Sequence, residues 1–353
     1  MIKNEVEIKS LPRLYNVEFL RIFFTFCIFA CHALNVLYSH GNNKGYLAVE
    51  FFFILSGFFL YYTIDRQKNL SDFAIKKIIR FLPLMLFGEI MCQMITHTFS
   101  FQNYISLIFF LPSTGLANSE YFCLGVAWYM GVLFWVSVFY FYLIKTQSSS
   151  TSNMIIGIIV FLSFICFNLL PYNLRWSLFP KSILRGLICE GLGCMVANIY
   201  KHGKIFHSTY IHTQKQFFVF SFLEFFVIIY ILLLMFEPGM FRIAYVHFII
   251  LFLILILLFL LKRGCISQFF DDDSWGRISK YCLSFFLTHL IIVDFLYDRL
   301  SFLSNLSKPN SFMVMLFLCV LLGIFAYHVI EKPCATYLRR FFNAQTHDLQ
   351  GRD

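Results

Sequence analysis

Charge is what this sequence has least of. Asp, Glu, Lys and Arg make up 13% of its 353 residues, against roughly 25% in an ordinary soluble domain. That shortage excludes a globular protein in water. Cysteine occurs 11 times, yet no two residues form a C-x-x-C pair and nine lie within apolar runs. A zinc or disulfide framework is therefore set aside in favour of inert buried thiols, and no metal is expected. Also missing are an internal repeat, a loop long enough to fold alone and a small-residue cleavage site after the first apolar run. That run reads as a permanent span and not as a signal peptide. No continuous basic face is visible, which removes nucleic acid from the partners despite a net charge of +9.

What fills the chain instead suits lipid. Hydrophobic residues reach 59% and the mean hydropathy is +0.73. Apolar runs of about 20 residues mark candidate spans. Ten occur, at about 16–38, 46–65, 81–100, 122–145, 154–172, 180–200, 216–236, 242–261, 281–298 and 311–330. The expected fold class is all-α, a polytopic integral membrane protein forming one domain over residues 1–353, with its core at about 16–340. Residues 101–121 hold a shorter run broken by Pro112 and Gly115 and suit a re-entrant or interfacial piece. Of the 26 Lys and Arg residues outside the spans, 20 fall on the side of the N-terminus. The excess of basic residues in cytoplasmic segments then places both termini in the cytoplasm.

Ionisable groups inside spans are candidate functional residues, because burying them in lipid is costly. The first span contains RIFFTFCIFACH, residues 21–32. Arg21 and His32 are 11 residues apart, about 20° past three full helical turns, so they share a face about 16 Å apart along the axis. Glu18 and Thr25 lie near the same stripe, and an Arg21–Glu18 ion pair is the plainer alternative for the arginine. The second span, GYLAVEFFFILSGFFLYY, brings Glu50 to a depth like that of His32. A carboxylate facing a histidine can orient the ring and stabilise its protonated form. Ser56 and Gly57 remove bulk in mid-span, for helix packing or for a thin substrate. Lys76, Lys77 and Arg80 form a basic turn before Pro83, suited to lipid headgroups or to the phosphates of a cofactor. Trp128 and Tyr129 open the outer half of the fourth span, Arg185 and Glu190 lie in the sixth, and His289 lies in the ninth. For each, an interfacial anchor or a buried hydrogen-bonding role competes with substrate binding. The run Asp271–Asp273 reads as a solvated turn.

These segments, taken in order, resemble acyltransferase family 3. VEFLRIFFTFCIFACH matches its arginine, ten residues, histidine pattern, and GYLAVEFFFILSGFFL its acidic segment with S-G-F. FAIKKIIRFLP is similar to its basic stretch, followed by AWYM, RGLICEGLGCMVA, ISKYCLSFFLTHLII and the closing YHVIEKP. The resemblance runs from about Val17 to Arg340. It departs where Cys282 and Phe286 replace a serine and a tyrosine, and where Glu50 replaces an aspartate.

The resemblance implies an O-acyltransferase of a bacterial cytoplasmic membrane. The donor would be cytoplasmic acyl-CoA, usually acetyl-CoA, and the acceptor a hydroxyl of an extracytoplasmic glycan or glycolipid. No fused extracytoplasmic domain is expected. His32 would be the general base, with Glu50 and Arg21 as its catalytic partners. Ser56, Gly57, Trp128, Tyr129, Arg185 and His289 would bind substrate, and Lys76, Lys77 and Arg80 the cofactor phosphates. An acyl-enzyme on His32 or Ser56 is a competing route. A transporter or flippase for lipid-linked glycans is the alternative function. Paired broken helices and inverted repeats would favour it, and the sequence has neither.

Overall fold

The computed structural model describes residues 13–38, 43–116, 124–169, 180–203, 206, 213–236, 244–297, 299 and 305–350. The outermost part of the expected interfacial piece, residues 117–121, lies outside these. Helices account for nearly all of the architecture, and no β-strand is found among the described residues. They are α1 (Tyr15–Tyr38), α2 (Ala48–Tyr62), α3 (Leu70–Thr96), α4 (Phe101–Ile108), α5 (Ala127–Thr146), α6 (Ser149–Leu169), α7 (Lys181–His202), α8 (Gln214–Phe236) and α9 (Ala244–Leu261). Two short helices, Cys265–Phe269 and Asp273–Ile278, lead into α10 (Cys282–Leu290), followed by α11 (Lys308–Ala326) and α12 (Lys332–Gln350).

Nine of the ten expected spans each overlap one of these helices, and the other, 281–298, overlaps α10 and the π-helical turn Ile291–Leu296 that follows it. Nine helical stretches among the described residues are long and apolar enough to cross a bilayer, and the 18-residue α9 is a shorter apolar tenth. The chain is a polytopic integral membrane protein.

Packing follows the small residues. α2 is the most enclosed of the long helices and lies against α7, with α1, α5 and α9 around it. A Cβ at Gly57 would overlap the backbone of Glu190, and one at Gly193 would overlap the carbonyl of Ile54. Only glycine lets these two backbones approach so closely, and close approach replaces the hydrophobic drive that lipid cannot supply. α6 and α8 bury little of their length. Their outward Phe161, Leu162, Phe222 and Phe225 are exposed, as residues facing acyl chains would be.

Two helix ends differ from the sequence expectation. α3 does not begin at residue 81 but at Leu70, where the side chain of Asn69 accepts from the amide of Asp72 at 2.8 Å. The basic turn is therefore helical, and Pro83 sits inside α3. At the other end of the chain, a π-helical turn at Tyr327–Glu331 joins α11 to α12, so the last helix continues well past its apolar part. The Asp271–Asp273 run is a set of local partners. Asp271 takes Lys262 at 2.6 Å, Asp272 caps the amide of Ser274 at 2.9 Å, and Asp273 takes Arg277 at 2.8 Å.

Candidate active site

The first half of α1, the inner face of α2, the first turns of α3 and the starts of α5 and α10, with Arg339 of α12, line a cavity of about 500 Å³. Four of its lining residues are basic candidates from the sequence, namely Arg21, Lys76, Lys77 and Arg80. Arg21 lies on the inward stripe of α1 and donates to Glu18 at 2.7 Å, the ion pair that their spacing of three residues allows. Thr25, one turn on, lines the same wall. Arg80 has no hydrogen-bond partner among the described residues. Arg21 and Glu18 line the same cavity, and the turn that ends in Glu331 packs against the helix that carries Arg80.

Lys76 and Lys77 are not equivalent. Lys76 is exposed and donates to Gln67 at 2.9 Å. Lys77 points inward, with its ammonium 5.3 Å from the Phe73 ring centre and 5.5 Å from that of Phe81. It donates to Ser137 Oγ at 2.9 Å, and Ser137 donates to Glu190 Oε2 at 2.7 Å. A buried carboxylate thus balances a cation in the cavity wall through one hydroxyl. The sequence reading missed Ser137, although it is the only hydroxyl-bearing aliphatic residue in the apolar run FWVSVFYF of α5. Ser56 faces the cavity, 3.5 Å from Ser137 Oγ. Tyr129 also lines it.

His32 lies deeper. α1 is unbroken from Arg21 to His32, so the axial separation of about 16 Å holds. The ring of His32 is 5.4 Å from that of His289 on α10. His289 is buried, and its Nδ1 stands 2.7 Å from the carbonyl oxygen of Phe286. A carbonyl can only accept, so Nδ1 carries the hydrogen. In the neutral ring, Nε2 is then a bare lone pair, and it has no partner among the described residues. Between this histidine pair and the cavity stands Phe286. It lines the cavity, and its ring lies 5.9 Å from that of His289 and 5.5 Å from that of Tyr129.

Besides His32, the sequence candidates Glu50, Gly57, Trp128, Arg185 and His289 lie off the cavity wall. Glu50 does not orient His32, since no hydrogen bond joins them among the described residues. Instead Glu50, fully buried, is ion-paired with Arg185 and accepts from Cys189 Sγ at 3.5 Å. The Arg185 guanidinium lies 4.8 Å from the Trp128 ring centre. Glu50, Arg185 and Trp128 therefore form one cluster, and none of them lines the cavity. A charge buried this deeply needs an opposite charge more than it needs an imidazole. Gly57 is likewise absent from the cavity wall, because its missing side chain is what admits α7. His289 too lies off the wall, behind Phe286. Two of the three positions that depart from the family pattern, Cys282 and Phe286, do line the cavity. There they present a thiol and a ring where hydroxyls would have stood.

The arrangement is thus a basic, partly apolar cavity, an aromatic partition and a pair of imidazoles beyond it. Residues 14–329 match the family model described as an acyltransferase domain. No curated protein and no solved structure matches the chain. The match covers nine-tenths of the sequence and every residue of the arrangement just described except Glu331 and Arg339, and the chain belongs to acyltransferase family 3.

Proposed function

We propose that this membrane acyltransferase takes an acyl group from acyl-CoA, usually acetyl-CoA, and transfers it to a hydroxyl of a glycan or glycolipid on the opposite side of the bilayer. The observation that carries the reading is the shared face of α1, with Arg21 on the cavity wall and His32 beside His289 about 16 Å further along. That span is comparable with an extended phosphopantetheine arm. A donor bound by its phosphates at Arg21, Lys76, Lys77 and Arg80 would carry its thioester past Phe286 toward His32. The nucleotide itself would not have to cross.

In this scheme His32 takes the proton of the acceptor hydroxyl as its oxygen attacks the thioester carbonyl. The C–S bond breaks, and the CoA thiolate leaves and recovers a proton. The lone pair on His289 Nε2 is the group near His32 able to accept a hydrogen bond from the imidazolium. His289 thereby takes the orienting role that the sequence had suggested for Glu50. Arginine fits the donor end because its fork of N–H donors pairs with phosphate oxygens in two-point fashion.

Donor binding can be tested without an acceptor, by calorimetry with acetyl-CoA on the detergent-purified protein. Arg21→Lys and Arg80→Ala should each weaken binding by about tenfold, the equivalent of ~1.4 kcal/mol. Unchanged affinity in both variants would remove the cavity from the donor path.

A further inference from the structure

Glu331 and Arg339 have no part in the scheme above, and both lie beyond the family match, which ends at residue 329. Within the last helical run, Lys308–Gln350, the stretch Lys308–Phe342 alone has 35 residues. At 1.5 Å per residue it is about 52 Å long, against a hydrocarbon core of roughly 30 Å. It is therefore some 20 Å longer than the core, so part of it projects beyond, and Arg339, near its far end, lines the cavity.

Two observations tie this projection to the cavity. Arg339 is exposed yet forms part of the cavity lining, and α12 packs against α3, which carries Lys76, Lys77 and Arg80. Glu331 is buried, its Oε2 has no hydrogen-bond partner among the described residues, and the π-helical turn that it ends packs against α3, the helix of Arg80. The carboxylate thus meets the basic wall where α12 begins. Eight residues later, about 12 Å further along the helix, Arg339 reaches the rim. The neighbouring Arg340 faces away, toward a separate surface hollow lined by His328, Lys332 and Tyr337.

We infer that α12 belongs to the donor site, with Arg339 binding the phosphate farthest from the thioester, the 3′-phosphate of CoA. Glu331 acts as a positioning residue that sets α12 against Arg80. The inference rests on the reading of the cavity as an acyl-CoA site. Arg21, Lys77 and Arg80 lie inside the cavity and suit the pyrophosphate, whereas the ribose phosphate of a donor entering arm-first remains at the rim. Arg339 is the arginine the rim offers, and it has no hydrogen-bond partner among the described residues.

The test compares CoA with 3′-dephospho-CoA by calorimetry on the full-length, detergent-purified protein. Wild type should bind CoA about tenfold more tightly. Arg339→Ala should lose that preference by weakening CoA alone, Arg339→Gln should behave alike, and Arg340→Ala should match wild type. If the Arg339 variants weaken both ligands equally, or neither, the 3′-phosphate contact is refuted while the donor reading stands. If wild type binds neither ligand, the donor reading falls and the inference with it.

Discussion

Glu50 and Arg185 illustrate how a residue's neighbours decide its role. Glu50 has no exposure to solvent, and its charge is met by a guanidinium from a helix 135 residues away in sequence. Removing one member of such a pair leaves an uncompensated buried charge and costs about 3–5 kcal/mol, whereas removing both can be nearly neutral. Arg185→Leu should therefore lower the thermal stability of the purified protein markedly, and Glu50→Leu combined with Arg185→Leu should recover most of the loss. Equal stability of Arg185→Leu and wild type would contradict this. The Arg21–His32 face was legible in the sequence because both residues belong to one helix and obey its period. The Glu50–Arg185 pair was not, because the period within α2 says nothing about which helix lies opposite. The Lys77–Ser137–Glu190 chain was hidden for the same reason, since its members come from three helices.

Among the elements, α2 and α7 set the geometry of the site. Ser56 and Gly57 are adjacent in sequence but face different neighbours, one the cavity and one the backbone of α7. Gly57→Val would force the two helices apart where backbone atoms cannot yield. Overpacking typically costs 1–3 kcal/mol, so a lowered midpoint of thermal unfolding in detergent is expected, with Lys77–Glu190 geometry and donor affinity impaired together. A Gly57→Val protein as stable as wild type would show that the crossing tolerates separation. Hydropathy located the nine candidate spans and the shorter apolar α9 found among the described residues, because a span needs a run of apolar residues and little else. It missed the first turns of α3 and the whole of α12, which are helical but lie outside the apolar core. Those polar extensions, carrying Lys76, Lys77, Arg80 and Arg339, supply most of the cations around the cavity.

At the scale of the whole molecule, the basic residues of the cavity gather at one end of α1 and α3, the imidazole pair lies further along α1, and the Phe286 ring is close to both His289 and Tyr129. This polarity suits the transfer proposed above, in which a charged donor is held at one face and a short arm reaches inward. The large apolar side chains of α6 and α8 face outward and commit no chemistry. The most direct measurement uses inverted membrane vesicles, whose cytoplasmic face is outward, given radiolabelled acetyl-CoA and assayed for label in the glycolipid fraction. Wild type should incorporate label, and His32→Ala should incorporate about 10²–10⁴-fold less while binding acetyl-CoA as wild type does. If His32→Ala keeps more than about a tenth of the wild-type rate, a loss well short of that expected for a general base, His32 is structural and the account of the site is wrong.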